Sequence, residues 1–174
     1  MAAKPPNAEP AVPPPLRLDQ YLPYLINRAG MSLAMRFGAT LRREGVSLQD
    51  WRVLAALRER NGQRLTELAE RTSIEISTLS RLVAGLEASG LVIRGRDSED
   101  ARAIAIRLSK AGDALAAHLT PAAEELERMA LSGFSKAEAS RLKSLLHKLY
   151  DNVMAIPAPG SGSGDADAAA SKRK

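Results

Sequence analysis

The sequence predicts a mainly α-helical fold with one small β-hairpin, and three observations lead there. Apolar residues recur at helical spacing over most of residues 16–154. Two segments rich in β-branched residues, LVIRGRD and AIAIRLS, flank a polar SEDAR connection, the pattern of a hairpin. Both ends of the chain lack the large apolar side chains that a core requires. With 174 residues the chain has the length of one domain, enough to bury a core without cross-links.

In chain order, residues 1–15 hold six of the ten prolines and are expected to form a disordered, polyproline-like arm. Leu18, Leu22, Leu25, Ala29, Leu33, Phe37 and Leu41 then step by three or four, one apolar stripe on a helix that starts around Gln20 to Pro23 and ends near Gly45. Pro23 fits because it falls in the first turn, where no amide hydrogen is needed. Ser47 is a good N-cap for a second helix, with Leu48, Trp51, Leu54 and Leu57 on one side before an Asn61-Gly62 turn. A short helix, LTELAERT, gives way at Thr72 and Ser73 to another, EISTLSRLVAGLEASG, which ends at Gly90, a natural left-handed cap. After the hairpin come two long helices, from about Lys110 to Leu131 and from about Ser135 to Met154; Pro121 allows the first to bend. Residues 155–174, rich in Gly, Ser and Ala, read as a disordered tail.

Composition excludes several functions. The absence of Cys removes disulfides, thiolate metal sites and thiol nucleophiles together. His118 and His147, the two histidines, have no ligand spacing around them, so neither a metal nor another cofactor is expected. No nucleophile elbow, phosphate-binding glycine loop or catalytic carboxylate pair occurs, so no catalytic residue is assigned and the chain is not read as an enzyme. Neither a signal peptide nor a membrane span is recognisable, and a soluble cytoplasmic protein is expected. The net charge of +5 is spread evenly, +3 over residues 1–46 and +1 over each of 47–109 and 110–174. Bulk charge therefore says little about nucleic acid; position has to carry that argument.

Helix, tight turn, helix and hairpin, in that order, make a winged helix-turn-helix. At about 100° per residue, Ile76, Leu79, Leu82, Val83 and Leu86 gather on one side of the second helix of the motif, and Ser77, Arg81, Ala84 and Ala88 face away. Small residues with a few donors suit close approach to a major groove. Ser77 and Arg81 are candidates for base edges, with Thr78 and Ser80 placed for phosphate. A solvated helix face has the same composition, and the hairpin tips the balance. Arg94 and Arg96 lie on its outgoing strand, Asp100 and Arg102 near its tip, and Arg107 on the return. An acid two positions before an arginine can hold the guanidinium extended for entry into a narrow minor groove.

The run LTELAERTSIEISTLSRLVAGLEASGLVIRGRDSEDARAIAIRLSKAG resembles the DNA-binding lobe of the MarR family of bacterial transcriptional regulators. The likeness includes the Asp-x-Arg of the wing and the Leu-Ser and Ala-Gly that follow its second strand, and it covers roughly residues 16–154. The resemblance places Asp100 and Arg102 on the family's wing-tip pair and Ser77, Thr78 and Arg81 on its recognition helix. Two positions depart from the pattern: Glu75 stands where Ser or Pro is usual, and Ala101 to Ala103 leaves one arginine where many relatives have two.

The resemblance implies a winged helix-turn-helix lobe at about 47–109 plus a long-helix dimerisation region at about 18–45 and 110–154. A homodimer on an inverted-repeat operator in double-stranded DNA follows from it. Independently, the stripe of the first helix and the leucines of the last two offer more apolar surface than a small lobe can cover. The resemblance further implies repression relieved by a small-molecule effector, an aromatic acid or its thioester. Tyr24, Arg28, Arg36, Trp51 and His118 are the candidate ligand residues, an arginine for the carboxylate and Trp51 with Tyr24 for the ring. The alternative is a winged-helix protein interaction module without DNA binding.

Overall fold

The computed structural model describes residues 14–96 and 103–157. In chain order these form helices α1 (Leu22–Arg43) and α2 (Leu48–Glu59), strand β1 (Gln63–Arg64), helices α3 (Leu65–Thr72) and α4 (Ile76–Ala88), strands β2 (Val92–Arg96) and β3 (Ile104–Leu108), and helices α5 (Lys110–Ala130) and α6 (Lys136–Met154). Asp100, Arg102 and nearly all of the expected arm and tail lie outside the described residues. The chain divides after Ala130 into two compact units.

The mainly α architecture with a small β element is the one expected, but the sheet has a third strand. Gln63 and Arg64 pair antiparallel with Ile106 and Ala105, so the strand order is β1-β3-β2. The hairpin itself runs in register from Val92 opposite Leu108 to Arg96 opposite Ile104. Gln63 is buried to 1% exposure, and its side-chain amide donates to the carbonyls of Ala56 at 2.9 Å and Arg60 at 2.6 Å. A polar side chain is thereby satisfied in the core, and the end of α2 is fixed to the sheet. Asn61 does the same from the turn: its side-chain oxygen accepts the Leu108 amide at 2.9 Å.

Helix starts follow local chemistry. Ser47 caps α2 with a reciprocal pair, its hydroxyl accepting the Asp50 amide at 3.1 Å while the Asp50 carboxylate accepts the Ser47 amide at 2.8 Å. Ser135 and Glu138 repeat the device at α6. Between α3 and α4 the chain reverses at Ser73, whose φ of 53° is left-handed. A non-glycine residue there costs about 1 kcal/mol or more, a strain the two flanking helices must hold.

One core cluster joins the elements of the lobe: Leu54 and Leu57 from α2, Leu68 from α3, Leu79, Val83 and Leu86 from α4, Val92 and Ile106 from the sheet, and Ala116 from α5. A second is built from Phe37 and Leu41 of α1 with Val46 and Leu119. Among the described residues, the predicted stripe of α1 is therefore covered only at its C-terminal end. Leu22, Leu25 and Leu33 are exposed, because α1 meets α2 and α5 only where Phe37 and Leu41 reach them, and Leu18 lies in a turn before the helix. In α6 no side chain is buried; Leu142, Leu145, Leu146 and Val153 are all exposed. Among the described residues no helix is long and apolar enough to cross a membrane.

The tightest approach is at Gly112, in the first turn of α5, where an added Cβ would stand 1.9 Å from the Leu91 carbonyl oxygen. At Gly85 in α4 an added Cβ meets nothing within 4 Å. Gly112→Ala should lower stability by about 1 to 3 kcal/mol, and Gly85→Ala should raise it by about 0.5 to 1 kcal/mol, both measured by urea unfolding.

Candidate nucleic-acid interface

Helix α4 is held by one face and presents the other. Leu79, Val83 and Leu86 are buried, Ser77, Arg81, Ala84 and Ala88 are exposed, and Thr78 and Ser80 are half-buried at the edges. Ile76 departs from the expected pattern. It is 45% exposed rather than part of the apolar side, because it is the first residue of α4 and the helix enters the core cluster only at Leu79. Arg81 makes no hydrogen bond or ion pair with the described residues, so its guanidinium is available to a ligand.

Glu75, flagged in the sequence only as a departure from a family pattern, proves to be the N-cap of α4. Its carboxylate accepts the amides of Ser77 at 2.9 Å and Thr78 at 3.0 Å, and the Ser77 hydroxyl as well. These bonds, the Ser77 hydroxyl first and the two amides after it, pull its pKa from the usual 4.5 down to about 2. The first turn of α4 thus spends two backbone donors and the Ser77 hydroxyl inside the protein.

The strand arginines are also partly engaged. Arg94 pairs with Glu87 of α4 at 3.2 Å, which fastens the hairpin to the helix. Arg107 donates to the Arg96 carbonyl at 3.1 Å, and its guanidinium lies over Gly95, where a Cβ would come within 3.3 Å of it. The Arg96 side chain is exposed and, like that of Arg81, bonds to none of the described residues.

The expected ligand residues are not assembled in one place. Tyr24, Arg28 and Arg36 are exposed along α1, and His118 stands 3.4 Å from Glu44. Trp51 is half-buried, edge-on to Phe37 with ring centroids 5.5 Å apart. It also lines an open cleft of about 490 Å³ between α2 and α5, together with Ala55, Arg58, Glu59, Asp113 and Thr120. Arg58 lies 3.5 Å from Asp113 and donates to the Thr120 hydroxyl at 3.2 Å. Sequence reasoning missed Arg58, which acquires these partners only when α5 packs on α2. Among the described residues no three His, Asp or Glu side chains gather as a metal site would require.

Comparison with known proteins bears on this arrangement. The MarR-family transcriptional regulator SPO1453 of Silicibacter pomeroyi DSS-3 is 31% identical, with a TM-score of 0.68 over 80% of this chain and 99% of that one. The chain belongs to the MarR family. The MarR family model itself matches residues 46–104, the span from the second helix through the start of β3. BpsR of Bordetella bronchiseptica, a protein whose DNA binding is regulated by 6-hydroxynicotinic acid, is 25% identical with a TM-score of 0.71 over 79% of this chain and 99% of that one. The transcriptional repressor IacR of Pseudomonas putida is 24% identical over 65% of this chain and 68% of that protein. In this MarR-family regulator α4 is thus the second helix of the helix-turn-helix, and β2 with β3 is the base of the wing.

Because the Glu75 carboxylate has a lower pKa in the fold than in the unfolded chain, its stabilising contribution is complete above about pH 4.5 and is lost as the pH falls toward 2. The stability difference between the wild type and Glu75→Gln should therefore shrink over that window, as followed by urea unfolding at a series of pH values. A difference that stays constant down to pH 2 would mean that the cap is not ionic.

Proposed function

We propose that this protein is a homodimeric, sequence-specific DNA-binding repressor that leaves its operator when a small aromatic acid binds. The observation that carries this reading is the outward face of α4: Arg81 is exposed and bonds to none of the described residues, with the small side chains of Ser77, Ala84 and Ala88 around it. A helix of that profile can enter a groove about 12 Å wide, where arginine to guanine is the commonest specific contact. Ser80 and Thr78, at the edges of the face, are assigned to phosphate, and Arg96 to the backbone beside the wing. Arg94 and Ser77 already hold partners within the protein, so they serve DNA by fixing the hairpin and the helix start. Arg102, with Asp100 two positions before it, is assigned to the minor groove on the strength of the family resemblance.

Dimerisation is supported by the uncovered apolar residues of α1 and α6, which a second copy of the chain would bury. Two recognition helices related by a two-fold axis read an inverted repeat whose half-sites lie about one helical turn apart. An aromatic acid as effector is supported by BpsR and by the chemistry of the cleft between α2 and α5, where Arg58 offers a guanidinium for a carboxylate and Trp51 an aromatic wall.

Fluorescence anisotropy on the tightest duplex recovered from a randomised pool tests this reading. Arg81→Ala should cost about 1 to 3 kcal/mol per half-site on that duplex and blur preference at one position of each. Arg102→Ala should weaken binding on many sequences alike, and 6-hydroxynicotinic acid or a related aromatic carboxylate should release the wild type. Failure to recover any preferred duplex would favour the protein-interaction reading instead.

A further inference from the structure

We propose that Ile76 reads the 5-methyl group of a thymine in each half-site, a specificity contact that rests on the DNA-binding reading above. Ile76 is the residue of α4 that breaks the amphipathic pattern: an apolar side chain 45% exposed at the first position of the helix that faces the groove. Recognition helices of this type contact base edges mainly through their N-terminal residues. A single exposed isoleucine is ordinary on a protein surface and means nothing alone. Its surroundings give it meaning.

An unoccupied helix start draws a phosphate, because its free amides point outward. Here Glu75 already occupies the amides of Ser77 and Thr78 and takes the Ser77 hydroxyl too. A fixed carboxylate at that place repels phosphate. What remains to meet a base pair at this end is the branched side chain of Ile76. Of the four base edges in the major groove, thymine alone carries an apolar group, its methyl. Glu75 and Ile76 together therefore turn a usual anion-binding position into one that offers an apolar contact to the thymine methyl.

Ile76 and Arg81 are five residues apart, about 7.5 Å along α4 and about 140° around it. Ile76 therefore approaches the bases from the N-terminal tip of the helix and Arg81 from its outward side, so the two contacts fall on different base pairs.

Replacing each thymine of the selected duplex by uracil, which removes the methyl and nothing else, tests the contact directly. For the wild type, one uracil in each of the two half-sites should weaken binding about fifteenfold, about fourfold for each buried methyl. Ile76→Ala should bind the thymine and uracil duplexes equally, Ile76→Val should keep most of the preference, and Arg81→Ala should keep all of it. The inference is overturned if no uracil weakens the wild type, or if the sensitivity survives in Ile76→Ala. Thermal unfolding of Ile76→Ala, an exposed position, checks that the variant is folded; Ile76→Val supplies the comparison if it is not. Recovery of a preferred duplex without any uracil effect would remove this contact and leave the repressor reading standing.

Discussion

The junction where α4, the hairpin and α5 meet is the constraint on which the rest of the structure depends. Ser109 stands at its centre. Its hydroxyl donates to the Gly90 carbonyl at 2.6 Å and accepts the Gly112 amide at 3.0 Å, while its own amide donates to the Leu91 carbonyl at 3.0 Å. One residue thus closes α4, starts α5 and ends the second strand of the hairpin. The approach is close enough that residue 112 has no room for a side chain. Because interiors are packed at crystal-like density, α5 is held against the turn that follows α4 with no slack at this point. Asp113, next to Gly112, is the partner of Arg58 across the cleft. An anion that drew Arg58 away would act on the residue adjoining this junction, which gives the proposed effector a short physical route to the recognition helix.

Much of this was legible in the sequence because the signals are local. The N-cap at Ser47, the left-handed Gly90 and the two β-branched strands each announce themselves within a few residues. What escaped depends on partners far along the chain. Strand β1 is two residues long and exists because Gln63 and Arg64 meet Ile106 and Ala105, more than forty positions later. The Asn61 side chain looked like a turn former and is also the acceptor for Leu108, a role invisible without the sheet.

The candidate interface divides along the same line. The periodicity of α4 correctly separates Leu79, Val83 and Leu86 from Ser77 and Arg81, since the middle of a helix obeys its wheel. At the first residue the wheel has no authority, and Ile76 lies past the edge of the core. Glu75 was visible as an unusual residue, but its consequence, three donors of the first turn consumed by one carboxylate, needed the geometry. Arg94, read as a DNA ligand from its place on the wing, has in addition an ion pair with Glu87 that braces the wing against the helix and that no local signal announced. A surface pair of this kind adds little stability; its value lies in orientation.

The central claim is that α4 reads sequence while the surrounding cations supply a sequence-blind attraction. Binding to the selected duplex and to a scrambled duplex of equal length, each followed across a range of salt concentrations, separates the two contributions. The account predicts that both affinities fall steeply as salt rises, through counterion release, while the selected duplex stays tighter by about a thousandfold or more throughout. Equal affinity for the two duplexes at every salt concentration would contradict it.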